Sequence, residues 1–210
     1  MDTFLKQIAR RIVSEHPKDT DQVLVVFNNN RSKRFFIKQF DTLGQATFLP
    51  QIATIDELIS QLGGLEIVSK EFLLFELYQI HVALGGTERK YQTFEDFISF
   101  GDLMIGDFSE IDQYMVNAEE IFDNLHSLKE IGEWNIEGTQ LTDFQKRYLE
   151  FYRSLYQYYV RLRERLISKG QAYGGMAYRL VAENIGEKAD GCPYTAIYFI
   201  GFNALSKCEE

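Results

Sequence analysis

The chain offers few side chains whose type and spacing suit catalysis. Its three histidines, His16, His81 and His126, stand alone, without the paired spacing of a zinc-protease helix. It has neither a glycine-rich phosphate loop ending in Lys-Ser or Lys-Thr nor a G-x-S-x-G nucleophile motif. Acids recur from Gly101 to Asp112, but their helical periodicity favours a solvated helix face over a metal site. The sequence therefore predicts no catalytic, cofactor-binding or metal-binding residue.

Polar and basic side chains gather instead after a short apolar run. Three asparagines at 28–30 follow the apolar residues 23–27, and four cations come next without an acid among them. These cations are Arg31, Lys33, Arg34 and Lys38. Asparagine amides at a strand end and the N–H groups of a helix start both suit phosphate contacts. Cations add non-specific attraction to nucleic acid.

The overall charge works against tight DNA binding by the free chain, with a formal net charge of −9 and a pI near 5.0. Thirteen acids between Glu88 and Glu137 face only three cations, so thirteen minus three leaves ten net negative charges there. From Lys146 to Lys169, seven cations face two acids, interleaved with tyrosines. The tyrosines at 148, 152, 156 and 159 could stack on bases, but helical spacing favours a role in the core.

The composition also limits where the chain can act. No apolar run reaches the length of a membrane span, and the first fifteen residues lack the apolar segment of a signal peptide. The cysteines, Cys192 and Cys208, form neither a disulfide framework nor a zinc site alone, which is typical of a reducing compartment. We therefore expect a cytoplasmic location and no membrane partner.

The elements that must position these residues change character along the chain. Helical and strand-like segments alternate in the first part, with a capping box from Thr54 to Glu57 and with Phe35, Phe36 and Phe40 directed inward. Residues 71–183 carry only helical patterns, with helices starting after Ser69, Thr93, Asn117 and Thr142. A buried-strand pattern returns at 196–200.

This alternation predicts an α/β fold with a large inserted all-helical subdomain. The expected domains are 1–68, an α/β part; 69–190, the helical insertion; and 191–210, a truncated return to the sheet. We expect the strands at 23–27 and 196–200 to share one parallel sheet. Residues 204–210 read as a helix that has only begun, so we expect the chain to be the N-terminal part of a longer protein.

The order of these pieces resembles superfamily 1 helicases of the UvrD type. Residues 23–32 resemble motif Ia, a strand ending in a polar turn that touches DNA, and residues 48–58 resemble motif Ib. Residues 196–208 resemble the Walker B strand, and the helical block lies where such helicases carry subdomain 1B. The ordered set is similar, over essentially all 210 residues, to the N-terminal region of bacterial AddB/RexB-like proteins. The segments that carry this second likeness are 27–31, 50–55, 105–112 and 198–205.

The resemblance implies a partial, parallel RecA-like sheet of the P-loop NTPase type that lacks the P-loop. AddB/RexB-like proteins carry an inactivated helicase body and a C-terminal PD-(D/E)XK nuclease. The first helix starts at about residue 3, which leaves no room for a phosphate loop, and Gly201 and Phe202 stand where Walker B carboxylates would hold Mg²⁺. We therefore expect no enzymatic activity and no cofactor in this chain, although the parent protein would be an exonuclease.

Motifs Ia and Ib also imply which residues touch DNA. They assign DNA contact to Asn28, Asn29, Asn30, Arg31 and Thr54, with Arg34 and Lys38 adding non-specific attraction.

The implied function is a non-catalytic scaffold and DNA-strand guide of a DNA end-processing helicase–nuclease in double-strand break repair. Its partners would be single-stranded or unwinding DNA, bound weakly by the isolated chain, and an active AddA-like helicase–nuclease subunit. The alternative is an acidic helical protein–protein adaptor without a nucleic-acid role, which the net charge favours. A continuous positive face beside Asn28, formed by Arg31, Lys33, Arg34 and the cations of residues 146–169, would support DNA guidance, and scattering of these cations would support the adaptor.

Overall fold

The computed structural model describes residues 2–43, 48–85, 91–124, 143–189 and 191–210, with the side chains of all but 143–153 and 188–189. The chain divides into two compact units. We call residues 1–64 with 181–205 the sheet unit, and residues 65–180 with 206–210 the helical unit. Every helix in the described ranges is too short or too polar to span a membrane.

The helices and strands follow one another as an α/β protein. In chain order they are α1 (Phe4–Glu15), β1 (Val23–Phe27), α2 (Asn30–Phe40), β2 (Gln51–Thr54), α3 (Ile55–Gly63), β3 (Glu66–Ile67), α4 (Lys70–Ala83), α5 (Phe94–Gln113), α6 (Asp143–Ser168), β4 (Gln171–Ala172), α7 (Gly174–Glu183), α8 (Ile185–Ala189) and β5 (Ala196–Ile200). Residues 118–124 are also helical. The predicted helix start at Thr142 lies outside the described residues.

The sheet unit is built on three parallel strands in the order β2-β1-β5. The register places Phe27 of β1 opposite both Thr54 of β2 and Ile200 of β5. The prediction that residues 23–27 and 196–200 share one parallel sheet is therefore confirmed.

Strand β1 is buried along its whole length because helices cover both of its faces. On one face, Val25 and Phe27 pack in a cluster with Ile12 of α1 and Phe36 of α2. On the other face, Leu24 and Val26 pack with Leu58 of α3. Each fully buried side chain of this size contributes about 1.5–3 kcal/mol through the hydrophobic effect.

Two predicted orientations in the sheet unit are wrong. Phe35 was expected inward with Phe36 and Phe40, but Phe36 and Phe40 form the buried stripe of α2 and Phe35 is 48% exposed. The run at 196–200 was expected to be buried, but β5 pairs only with β1 among the described residues and alternates in exposure, with Phe199 58% exposed. An edge strand need not be covered on both faces.

The helical unit begins its helices at the predicted caps. The Ser69 hydroxyl accepts a bond from the backbone N–H of Phe72, and the Thr93 hydroxyl accepts one from Asp96. The Asn117 side chain accepts bonds from the next turn in the same way.

The prediction of an all-helical middle is wrong in one place. Gly170 ends α6 with a φ of 68°, a backbone conformation that glycine adopts readily, and the next two residues form β4, which runs parallel to β3. Backbone bonds of 3.0 Å join Glu66 to Gly170 and Val68 to Ala172. Two-residue strands are too short to leave a hydrophobic pattern in the sequence.

The helix expected at 204–210 does not form. Those residues make turns, held by bonds of 2.8 and 2.9 Å from the Ser206 backbone N–H and hydroxyl to the Glu209 carboxylate. The Cys208 N–H donates to the Gln113 carbonyl at the end of α5. Residues 206–210 therefore group with the helical unit, whereas the sequence grouped all of 191–210 with the sheet.

Candidate nucleic-acid interface

The candidate site lies at the carboxyl edge of the sheet, where the three parallel strands end together. Asn28 directly follows β1, Thr54 ends β2 and Gly201 directly follows β5. The Asn28 side-chain amide donates to the Gly201 carbonyl at 3.2 Å, which links the ends of β1 and β5. The edge therefore brings together residues 173 positions apart in the chain.

Helix α2 starts at this edge, as the asparagine turn predicts. The Asn29 side-chain oxygen accepts a bond of 2.9 Å from the Ser32 N–H and caps the helix. The other half of that amide donates to the Asn28 side-chain oxygen at 2.6 Å. The side chains of Asn28 and Asn29 are therefore joined by a hydrogen bond. The positive end of the α2 dipole lies at the edge of the sheet.

Helix α3 starts at the same edge with the predicted capping box. The Thr54 hydroxyl accepts from the Glu57 N–H at 3.2 Å, and the Thr54 N–H donates to the Glu57 carboxylate at 2.8 Å. Thr54 is only 4% exposed, so it holds the start of α3 in place from below the surface. Its predicted contact with DNA stays a prediction.

An ion pair joins the first turns of the two helices. The Lys33 ammonium contacts both oxygens of the Glu57 carboxylate, at 2.7 and 3.0 Å. The bonds from Lys33 and from the Thr54 N–H hold the pKa of Glu57 below its ordinary value. Lys33 is therefore held in an ion pair, whereas no ion pair joins Arg31, Arg34 or Lys38 to another described residue.

Those three cations surround an exposed ring on the outer face of α2. Arg31, Arg34 and Lys38, with Asn30 and Phe35, line an open depression of about 370 Å³, and none of these described lining residues is acidic. The guanidinium of Arg31 lies 5.8 Å from the centre of the Phe35 ring, and the ammonium of Lys38 lies 5.9 Å from it. Four of the seven predicted site residues therefore meet here. Phe35 was not among the predicted site residues, because the helical pattern placed its ring in the core.

Cations of the second basic segment, residues 146–169, form ion pairs inside the helical unit. Arg163 pairs with Asp112 at 2.5 Å, and Arg165 and Lys169 both pair with the buried Glu76. The side chains of Lys146, Arg147 and Arg153 lie outside the described residues. At these three described positions, then, positive charge is neutralised within the helical unit.

The acidic segment of α5 holds the most buried charge in the described chain. Asp112 was expected on a solvated face, but it is fully buried and accepts bonds from Tyr159, Tyr173 and Arg163. Burial, followed by the Asp112 carboxylate, raises the pKa of both tyrosines. Tyr159 and Arg163 belong to α6, and Tyr173 lies between β4 and α7, so the Asp112 side chain ties several elements of the helical unit together. The prediction of a solvated face is wrong at this residue.

The tyrosines of α6 do not form an exposed stacking surface where the structure describes them. Tyr159 is buried against Phe108 of α5, and Tyr156 is half-buried and stacks on Tyr159. Tyr148 and Tyr152 lie outside the described side chains. The interpretation of Tyr159 as a core residue is confirmed.

Comparisons with known proteins add no name to this site. No protein-family model matches the chain, and no curated protein matches it. Within the described ranges, no group of three or more His, Cys, Asp or Glu side chains could hold a metal ion.

Proposed function

We propose that the chain is a non-catalytic, helicase-like module that guides a DNA strand, as part of an AddB/RexB-like DNA end-processing helicase–nuclease in double-strand break repair. The observation that carries the proposal is the shared position of two capped helix starts and a cationic face beside one sheet edge. In this proposal the sheet is the RecA-like core, the location is the cytoplasm and an AddA-like subunit supplies the motor.

The chemistry of the edge suits a phosphate backbone. The starts of α2 and α3 present backbone N–H groups at the place where the helix dipoles favour negative charge. Arg31, Arg34 and Lys38 add attraction that does not depend on base sequence. The residues after β5, Gly201 and Phe202, bring no carboxylate to the edge, so the proposed role is guidance without nucleotide hydrolysis.

The proposal is tested by fluorescence anisotropy of a labelled oligo-dT with the whole chain at low salt. We expect weak binding, with a dissociation constant on the order of 10⁻⁴ M. Contacts with two or three phosphates would give a log–log salt slope of roughly −1.4 to −2, at about −0.7 per contact. Arg31→Glu should weaken binding because it reverses a charge at the start of α2. Lys18→Glu, an equal charge change at an exposed position of the sheet unit, should not.

Two results would contradict the proposal. If the wild-type chain does not bind at low salt, the adaptor becomes the better function. The net charge of −9 and the internal pairing of Arg163, Arg165 and Lys169 already favour that alternative. If Lys18→Glu weakens binding as much as Arg31→Glu does, the attraction is general and does not arise from this edge.

A further inference from the structure

Phe35 is an exposed aromatic ring placed between two cations. Arg31 precedes it by one helical turn and Lys38 follows it by about one turn, so all three lie on the same face of α2. Both cations lie within 6 Å of the ring centre, yet the residue remains 48% exposed. A neighbouring face of α2 is anchored in the core by Phe36 and Phe40, so the ring stands on a fixed support.

We propose that Phe35 is a stacking platform for an unpaired base, which makes this face selective for single-stranded nucleic acid. The inference rests on the proposed function and adds the residue that would distinguish a single strand from a paired one. A ligand that covers this face must offer a flat apolar surface to the ring and negative charge to Arg31, Arg34 and Lys38. A nucleotide within a single strand offers both, because its base can stack and its phosphates can meet the cations.

Two features of the face favour a single strand over other anions. The bases of a duplex are stacked on each other, so their flat surfaces cannot reach a ring on a helix surface. An acidic peptide would satisfy the cations and leave the ring uncovered. The residues from Arg31 to Lys38 span about 10 Å along the helix axis, which gives room for one stacked base and the phosphates on either side.

The experiment compares substitutions of Phe35 in binding to labelled oligo-dT at low salt. Phe35→Ala should lower the affinity at least about fivefold, the lower limit expected for losing one stacked base. Phe35→Leu keeps an apolar side chain without a π face and should lose nearly as much. Phe35→Trp should bind at least as tightly as the wild type, and its added fluorescence should be quenched by the oligonucleotide. Phe4→Ala removes a ring that is 61% exposed elsewhere in the sheet unit and serves as the matched control.

Two further probes separate stacking from charge. An abasic oligonucleotide of equal length should bind the wild type and Phe35→Ala equally, because it has phosphates without bases. A duplex of equal length should bind more weakly than oligo-dT. Equal binding of oligo-dT by the wild type, Phe35→Ala and Phe35→Leu would overturn the inference. If Arg31→Glu still weakens binding in that case, the proposed function stands, whereas no binding by the wild type overturns both.

Discussion

Asp112 is the residue where helical periodicity and the structure differ most. The acids of residues 101–112 share a spacing that indicates a solvated face, and Glu110 is indeed exposed. The Asp112 side chain is buried against side-chain partners that lie 47 to 67 residues further along the chain, so the local sequence does not reveal them. A periodic pattern shows which residues share a face of a helix, but it does not show what that face will meet.

Replacing Asp112 with asparagine should destabilise the protein by about 3–5 kcal/mol. The substitution removes the charge that compensates Arg163, and it turns an amide donor toward the hydroxyl of one of the two tyrosines, Tyr159 or Tyr173, which donate to different carboxylate oxygens. Urea denaturation measures the change in the free energy of unfolding. Glu110→Gln, an equal change at an exposed position of the same helix, should stay within about 0.5 kcal/mol of the wild type. A loss below about 1 kcal/mol in Asp112→Asn would mean that the cluster is not a stabilising one.

Glu57 predicts a dependence of stability on acid. Its pKa is lowered in the folded protein, so its ionised form stabilises the fold above the unfolded value of about 4.3 and that stabilisation is lost as the pH falls through the folded value. Glu57→Gln should be up to about 1 kcal/mol less stable than the wild type at pH 7, because the ion pair with Lys33 is partly exposed. The difference should shrink in thermal unfolding below about pH 4. A difference that is constant with pH would contradict the sign of this shift.

The candidate site was predictable from sequence at some residues and not at others. The capping roles of Asn29 and Thr54 were predictable because caps have a local signature that needs no tertiary information, whereas their assignment to DNA contact came from the likeness to motifs Ia and Ib. Phe35 was not, because Phe35 and Phe36 are about 100° apart on the helix and either could face the core. Packing against β1 decides between them: Phe36 is buried there, and Phe35 is the exposed ring that we propose as a stacking platform.

At the scale of elements, the close approach of α7 to α5 requires a glycine at position 175. Gly175 at the start of α7 donates its N–H to the Ser109 hydroxyl at 3.0 Å. A Cβ atom there would lie 2.1 Å from the Ser109 carbonyl oxygen, so only glycine lets α7 approach α5 this closely. The pairing of β3 with β4 likewise arises from tertiary structure, and it leaves no periodic hydrophobic pattern in the sequence.

Two glycine substitutions should therefore have opposite effects. Gly175→Ala should destabilise the protein by about 1–3 kcal/mol, because the helix must shift to accommodate the methyl group. Gly106→Ala, within α5, meets nothing within 4 Å and should stabilise by about 0.5–1 kcal/mol through helix propensity. Thermal unfolding of both variants measures the contrast. A neutral Gly175→Ala would mean that α5 and α7 are not held at this distance.

At the scale of the whole molecule, the sheet was predictable and its surroundings were only partly so. Continuous apolar runs identified β1 and β5, because strands of a parallel sheet need apolar side chains on most positions. The same rule overestimated the burial of β5, since an edge position is not visible in a strand's own sequence. The distribution of charge was also only partly predictable. Composition separated acidic from basic segments, but only contacts showed that Arg163 and Lys169 act internally.

The order β2-β1-β5 also has a consequence for how the chain folds during its synthesis. Strand β2 leaves the ribosome soon after β1, but β5 pairs with β1 across 173 residues of sequence. At a translation rate of about 5–20 residues per second, β1 waits on the order of ten to thirty seconds for that neighbour. Throughout this interval one edge of a strongly apolar strand has no native partner, a state that invites pairing with other chains. The slow, non-local closure of the sheet is therefore the stage of folding at which this protein is most exposed to aggregation.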